Sequence, residues 1–327
     1  MPRLLRIFFL ILIYAFNLNY PPMIEAYQAN TKFIPPQDQV LLIIGQDKHS
    51  IQNYIKEFKV VPGGFSVYTS IQNMDGIYKP VNHGGGVQHA QYLVSRYPNS
   101  VIHVGLYMVN ALNEVLNGKY DENIKKLGKW MKKSNRPFYL RIGYEFDAPF
   151  NNYSPELYIK AYRYIADKLL AMDVDNVDFV WHSYAAKTTY PLESWYPGDQ
   201  YVDWVAISYF SPYNESGMNN VAAFAKKNKK PLMIAESTPV KLPTSAGEDT
   251  WKRWYEFVFK FIEENDVKIF CYINCHWDQL PLFKKDEWGD ARLEENYYIK
   301  QNWLKTIRTE KFLNASFNLF QQLKRSN

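Results

Sequence analysis

Residues 138–172 read FYLRIGYEFDAPFNNYSPELYIKAYRYIADKLLAM, a short apolar stretch followed by a longer amphipathic one. Phe138 to Phe146 is rich in apolar and aromatic residues, which predicts a buried fourth strand. Ser154-Pro155-Glu156 then supplies an N-cap, a proline in the first turn and an early acid, which predicts a helix that reaches Met172. The fold follows from the repetition of this strand and helix unit along the chain.

The unit recurs with little variation in length. Predicted strands are Val40–Gln46, Phe65–Ile71, Val101–Val109, Phe138–Phe146, Val177–Ser183, Val202–Phe210, Pro231–Glu236 and Lys268–Trp277. Predicted helices are Ile51–Phe58, Val87–Arg96, Tyr120–Lys132, Ser154–Met172, Asn220–Lys227, Trp251–Glu264 and Tyr298–Ile307. Eight apolar strands, each expected to be followed by a helix although no bounds are given for one after the fifth, predict an α/β fold of the closed (β/α)8 TIM barrel type rather than an open sheet.

Glycine placement also argues against a nucleotide-binding open sheet. The turn after the first strand reads Gly45-Gln46-Asp47-Lys48, which is not the glycine-rich turn of that fold. Gly84-Gly85-Gly86 neither follows a strand directly nor matches a phosphate loop, so a loop at the barrel mouth is favoured over a phosphate cradle. No cofactor is predicted.

The N-terminal residues have the pattern of a signal peptide. Arg3 and Arg6 precede an apolar run from Ile7 to Phe16, and Ala26 suits a cleavage site. The run is about half the roughly 20 residues that span a bilayer, so a permanent membrane anchor is disfavoured. We expect a signal peptide over residues 1–26, one catalytic domain over 27–327, and a monomer secreted to the periplasm or the outside of the cell.

Composition points towards carbohydrate and away from nucleic acid. The chain is 17% aromatic, with 26 Tyr and 9 Trp, and flat rings bury the apolar faces of sugars; compositional bias is the alternative explanation. The net charge of +5 comes from scattered lysines rather than from one basic patch. Cys271 and Cys275, roughly 13 Å apart in an extended strand, are expected to be buried thiols, and no metal site is predicted.

Two glutamates are the strongest catalytic candidates. Glu145 and Glu236 end the fourth and seventh predicted strands, and TIM barrels carry their active sites at those ends. Strand alternation is expected to point both inward, with the residues that share their faces being Arg141 and Gly143 on one strand and Leu232 and Ile234 on the other. A structural salt bridge between Arg141 and Glu145 is the alternative, which a second inward glutamate makes less favoured.

These segments resemble glycoside hydrolase family 26, within the clan of retaining glycosidases built on a (β/α)8 barrel. The similar stretches are Arg141-x-x-x-Glu145, Trp195-Tyr196-Pro197-Gly198-Asp199-x-Tyr201-Val202-Asp203 and Lys230-Pro231-x-x-x-x-Glu236. The resemblance implies that Glu145 is the acid/base and Glu236 the nucleophile of a double displacement. It implies a β-linked polysaccharide as substrate: β-mannan, β-1,3-xylan, a β-glucan or a related glycan.

The same resemblance implies roles for other strand-end residues. Tyr209 is expected to hydrogen-bond the nucleophile, Trp277 to floor the sugar site and His182 to reach substrate hydroxyls. The alternatives are closure of the barrel core for the two aromatic residues and contacts with neighbouring residues for His182. Apart from the resemblance, the position of Trp195 in the loop before the sixth strand makes it a candidate for an outer subsite, with packing under the loops as the alternative. Tyr144 replaces the histidine that usually precedes the acid/base, which weakens a mannan assignment in particular.

Two other functions remain open. A catalytically silent carbohydrate-binding barrel keeps the cleft without turnover, and the Tyr144 departure favours it, whereas the presence of both glutamates opposes it. A metal-dependent barrel hydrolase requires several His and Asp residues at strand ends, but the chain has only six His.

Overall fold

The computed structural model describes residues 31–185 and 190–324. The predicted signal peptide, residues 1–26, therefore lies outside the described residues. Eight parallel strands form one closed sheet, labelled β1 to β8 in chain order: Val40–Gly45, Gly64–Ser70, Val101–Tyr107, Phe138–Ile142, Val177–Ser183, Trp204–Tyr209, Leu232–Ser237 and Val267–Ile273. Strand β1 pairs with both β2 and β8, which closes the barrel.

Most helices lie between successive strands on the outside of the barrel, and the last two follow the final strand. They are α1 Lys48–Phe58, α2 Ala90–Arg96, α3 Leu112–Leu116, α4 Asp121–Ser134, α5 Pro155–Leu170, α6 Glu215–Lys227, α7 Glu248–Thr250, α8 Glu256–Glu264, α9 Tyr297–Ile307 and α10 Leu319–Leu323. A π-helical turn, Trp251–Tyr255, joins α7 to α8. The hydroxyl of Ser154 accepts from the N–H of Leu157 (3.4 Å) and caps α5, as predicted. The (β/α)8 barrel is thus confirmed.

The unit after β5 departs from the predicted repeat. Within the described residues between β5 and β6, the chain forms a 3₁₀ turn at Leu192–Trp195 and no α-helix. The indole N–H of Trp181 in β5 donates to the carbonyl of Trp195 (3.1 Å), so the turn packs where a helix would cover the strand. The prediction that every strand is followed by a helix is wrong at this position.

Two hydrophobic layers hold the barrel together. Outward-facing residues such as Leu42, Phe179 and Ile207 pack with the helices, while Leu41, Tyr139 and others fill the barrel interior. Both faces of β1 are fully buried, which explains its continuous apolar sequence. The end of the barrel where the strands begin is closed by the segment around Phe33 and by α10, both packed on the interior layer.

Cys271 in β8 and Cys275 just beyond it are buried free thiols, as predicted. No described helix is long and apolar enough to cross a membrane.

Candidate active site

Glu145 lies in a tight turn after β4 rather than at the end of the strand. Strand β4 ends at Ile142, and Gly143 and Glu145 both have positive φ, 58° and 54°. The positive φ of Gly143 favours glycine, and a Cβ added there would also stand 2.5 Å from the Cε of Met108, whose side chain would have to shift. A non-glycine residue with positive φ stores strain, which collects at functional sites. The predicted alternation of Arg141, Gly143 and Glu145 is therefore wrong, and the turn aims the carboxyl.

Hydrogen bonds to backbone groups of this turn hold it in place. The N–H of Phe146 donates to the carbonyl of His182 in β5 (3.1 Å). The side-chain amide of Asn151 donates to the carbonyls of Tyr144 (3.1 Å) and Glu145 (2.8 Å). These bonds offset the strain and hold the turn that carries Glu145 beside the end of β5.

Glu236 sits on β7, where strict alternation would turn it outward. Leu232 and Ile234 pack in the outer layer, whereas Met233 and Ala235 belong to the interior layer. A regular strand would place the next side chain, that of Glu236, outward with Ile234. The prediction that Leu232 and Ile234 share an inward face with Glu236 is therefore wrong.

A β-bulge brings Glu236 inward. Ile207 pairs with Ile234, but the next residue on β6, Ser208, pairs with Glu236, so β7 carries one extra residue. A bulge of this kind reverses which side of the sheet the following side chain faces. Glu236 consequently contacts the guanidinium of Arg141 from β4.

Arg141 is the electrostatic centre of the site. Its Nη1 donates to Glu236 Oε1, its Nη2 donates to the hydroxyl of Ser66 (3.3 Å), and its side chain is fully buried. Its Cζ lies 5.0 Å and 5.1 Å from the ring centroids of Tyr68 and Tyr144. Because a guanidinium is always charged, a buried Arg141 needs a carboxylate partner, and that partner is Glu236 rather than Glu145.

Glu145 has a different environment from Glu236. Its Oε1 accepts from the hydroxyl of Ser208 at 2.5 Å, and the residue is 5% exposed. Burial, followed by the charge of Glu236, raises the pKa of Glu145 well above its ordinary value. One carboxyl is paired with a cation and the other has a raised pKa, which is the division that acid/base and nucleophile roles require.

His182 lies within the barrel rather than at the substrate surface. Its Nε2 is 3.0 Å from the hydroxyl of Ser208, its Nδ1 is 3.4 Å from Nη1 of Arg141, and it has no exposed surface. Burial and then the charge of Arg141 lower the pKa of His182 well below its ordinary value. His182 is near the glutamates, as predicted. Its ring nitrogens contact the side chains of Arg141 and Ser208, whereas contact with substrate hydroxyls was expected.

Tyr209 and Trp195 lie outside the site. Tyr209 packs against Trp254 and Phe261 with ring centroids 5.8 Å and 5.5 Å away, in the layer between β6 and the helices. Trp195 is 3% exposed and packs on Phe146 at 5.4 Å. The core alternatives therefore hold, because Tyr209 alternates with the outward-facing residues of β6.

Trp277 is buried under the loop that follows β8. It is 1% exposed, its indole N–H donates to the hydroxyl of Thr238 just past β7 (3.0 Å), and the rings of Phe283 and Trp288 both lie 4.7 Å away. It stands at the correct end of the barrel for a sugar site, beneath aromatic side chains of its own loop.

Sequence reasoning missed Ser208, Tyr68 and Ser66. Ser208 had a signal, because Trp204 and Ala206 occupy the interior layer and Ser208 is the next residue of that alternation. Tyr68 and Ser66 gave none, since nothing in β2 marks which polar side chains face a guanidinium from β4.

Four aromatic rings follow one another along the rim of the barrel near the glutamates. They are Phe150, Tyr184, Phe210 and Trp288, and we term them the aromatic row. Successive ring centroids are 5.5, 5.9 and 5.3 Å apart. Burial, followed by the charges of Glu145 and Glu236, raises the pKa of Tyr184, the second ring of the row, so this ring is the one near the carboxyl pair. Its neighbour Phe150, at one end of the row, is 65% exposed.

No group of three or more His, Cys, Asp or Glu among residues 31–185 and 190–324 is arranged to hold a metal ion. The chemistry described below uses the carboxyl groups.

One family model and two curated relatives match large parts of this chain. Residues 114–268 match the family model described as glycosyl hydrolase family 26. Two curated relatives, β-1,3-xylanases of a Vibrio species and of an Alcaligenes species, are each 32% identical. Each match covers 91% of this chain, and it covers 71% of the Vibrio and 70% of the Alcaligenes protein.

Solved structures share the fold at lower identity. A family 26 β-mannanase from Bacteroides ovatus superposes with a TM-score of 0.65 at 15% identity, covering 86% of this chain and 93% of that one. A modular endo-β-1,4-mannanase from Cellulomonas fimi gives a TM-score of 0.62 at 12% identity, with 87% and 74% covered. At these identities the likeness extends to the barrel alone.

Proposed function

Because this chain belongs to glycosyl hydrolase family 26 and is a β-glycan hydrolase, we propose that it cleaves β-1,3-xylan with retention of anomeric configuration. The choice of xylan over mannan rests on the relatives. Those that share 32% identity over most of the chain are named β-1,3-xylanases, whereas the mannanases resemble it only in fold. Tyr144, where the family usually has histidine, is a further reason not to assign mannan.

The unequal environment of the two carboxyls carries the mechanism. Glu236, held by Arg141, attacks the anomeric carbon, while protonated Glu145 donates its proton to the leaving glycosidic oxygen as the C–O bond breaks. Glu145, now a carboxylate, then takes a proton from water, whose oxygen displaces Glu236 from the sugar. Two inversions give net retention, and both side chains end in their starting protonation states.

The substrate proposal is tested by incubating the purified protein with β-1,3-xylan, β-1,4-mannan and a mixed-linkage β-glucan, and separating the products by chromatography. We expect short xylo-oligosaccharides, released faster than any product from the other two polymers. NMR spectra taken in the first minutes should show the β-anomer at the new reducing end. Faster cleavage of mannan would reject the substrate, and an initial α-anomer would reject double displacement.

The aromatic row supports a polymeric substrate, because a succession of aromatic rings offers flat faces to the apolar sides of consecutive sugars. We expect Phe150→Ala to raise KM for polysaccharide by about 2- to 10-fold and to leave kcat nearly unchanged, the size of one lost aromatic contact. Phe317→Ala is the matched control, since Phe317 is 98% exposed and adjoins α10 at the opposite end of the barrel. Equal KM values for both variants would remove the row from substrate binding.

We also propose that the protein is exported and acts as a monomer. A polymeric substrate is met outside the cytoplasm, and the charged and apolar residues from Arg3 to Ala26 fit an export signal. The intact mass of protein recovered from the medium should correspond to a chain that starts at residue 27. Size-exclusion chromatography should give the mass of one chain.

A further inference from the structure

A continuous polar path links the two carboxyls through the barrel interior. From Glu236 it passes through Arg141, His182 and Ser208 to Glu145, with one residue each from β4, β5 and β6 between the glutamates. We term Arg141, His182 and Ser208 the polar relay. None of the three is more than 3% exposed, so water does not replace any of these contacts. Its significance rests on the acid/base role proposed for Glu145.

The position of the His182 proton follows from its neighbours. A guanidinium has donors and no acceptor, so Nδ1 of His182, 3.4 Å from Nη1 of Arg141, must offer its lone pair. The lowered pKa of His182, caused first by burial and then by Arg141, keeps the ring neutral. A neutral ring with a free lone pair at Nδ1 carries its only proton at Nε2, which faces Ser208.

That proton sets the direction of the next hydrogen bond. With Nε2–H of His182 donating to Ser208 Oγ (3.0 Å), the hydroxyl hydrogen of Ser208 is available for Glu145 Oε1, 2.5 Å away. Oε1 is therefore an acceptor in both protonation states of Glu145. The acid proton must then sit on the other oxygen, Oε2.

We propose that His182 and Ser208 are positioning residues that reserve Oε2 of Glu145 for the proton delivered to the leaving group. Arg141 orients His182, which orients Ser208, and Ser208 holds Oε1. The same arginine binds the nucleophile, so one buried cation arranges both carboxyls. Without the relay, the proton of Glu145 is free to occupy either oxygen, and only one of these oxygens serves the glycosidic bond.

The relay also has a consequence for pH dependence. The charged and titratable groups that face Glu145 are Glu236 on β7, Arg141 on β4, Asp147 and Tyr144 in its own loop, and Tyr184 after β5. Burial and Glu236 raise the pKa of Glu145, whereas the hydrogen bond from Ser208 lowers it. Ser208 is neutral, so replacing it removes the lowering contribution and leaves every one of these charges in place. The pKa of Glu145 should then rise further.

The test compares kcat/KM against pH for the wild type, Ser208→Ala, Ser208→Thr and Ser66→Ala on β-1,3-xylan. In Ser208→Ala the alkaline limb, where Glu145 loses its proton, should move up by about one pH unit, the size expected for one hydrogen bond to a carboxylate. Ser208→Thr keeps a hydroxyl and should keep the limb. Ser66→Ala removes a hydroxyl that also contacts Arg141 but not Glu145, and it too should keep the wild-type limb.

A second measurement separates positioning from general damage. In an aryl β-xyloside whose phenol is acidic, the phenolate leaves without a proton. Ser208→Ala should therefore slow the release of that phenol far less than it slows polysaccharide cleavage. His182→Leu should show the same selectivity. An unmoved limb in Ser208→Ala, an equal shift in Ser66→Ala, or equal losses on both substrates would overturn the relay. Inactivity of the wild type on all glycans would reject the proposed function instead.

Discussion

Glu236→Ala should lose turnover of polysaccharide by on the order of 10⁵-fold, the scale seen when a covalent nucleophile is removed. Arg141 holds Glu236 as its carboxylate partner at the end of a bulged strand, and the variant lacks the carboxylate that forms the bond to the anomeric carbon. The measurement is initial rate under saturating substrate. Appreciable activity of Glu236→Ala without an added nucleophile would contradict the assignment.

An external anion provides the decisive control for this variant. Truncation leaves the buried guanidinium of Arg141 unpaired, which is costly and creates a small site for an anion. Azide should therefore restore cleavage of an activated aryl glycoside, giving a glycosyl azide of inverted configuration. It should also raise the melting temperature of Glu236→Ala. Glu236→Gln, which keeps an acceptor for Arg141, should stay inactive and respond much less to azide.

Local sequence patterns were sufficient to predict the barrel and most of its elements. β5 was predicted at its observed bounds, Val177–Ser183, because the run is apolar throughout and ends before a polar loop. β4 was predicted too long: Gly143 has a backbone conformation that ends the strand, and the apolar residues beyond it, such as Phe146, pack in a turn. A hydrophobic pattern does not distinguish a buried strand from a buried turn.

The sequence predicted that the two glutamates and Arg141 lie close together, but not what orients their side chains. Alternation gave the right direction for Glu236 through an incorrect assumption, since Ile234 faces outward and the bulge reverses the next side chain. A bulge depends on the register between β6 and β7, which is a property of two strands and cannot be read from either alone. Choosing Tyr209 rather than Ser208 has a different origin, because the alternation along β6 alone places Ser208 inward with Trp204 and Ala206.

Arg141 illustrates why a strand-interior charge is informative. Placing a guanidinium among apolar residues is costly unless it has partners, and here aromatic faces of Tyr68 and Tyr144 and the carboxylate of Glu236 surround it. The sequence showed that the arginine needs a partner. It did not show which glutamate is that partner. Glu145 is closer to Arg141 in sequence, and Glu236 comes into contact with Arg141 only when β7 takes its place in the folded barrel.

Glu145→Ala should lower kcat/KM on β-1,3-xylan by about 10³- to 10⁴-fold, the upper range for loss of a general acid. Burial and then the charge of Glu236 raise the pKa of Glu145 well above its ordinary value, so the wild type keeps this proton to higher pH than a free glutamate does. Wild-type kcat/KM should therefore fall as pH rises through that pKa. The same fall should be absent from Glu145→Ala.

The leaving group decides whether this loss belongs to acid catalysis. With a dinitrophenyl β-xyloside, Glu145→Ala should still form the glycosyl-enzyme, because Glu236 and Arg141 are intact and the phenolate needs no proton. Hydrolysis of that intermediate should then be slow, since no base activates water, and stopped-flow traces should show a burst of phenolate followed by a slow phase. Azide should accelerate the slow phase and give a product of retained configuration, the opposite stereochemistry to that from Glu236→Ala. Two variants that respond to one anion with opposite stereochemistry would separate the nucleophile from the acid/base; matching products would mean that the two glutamates do not divide the reaction in this way.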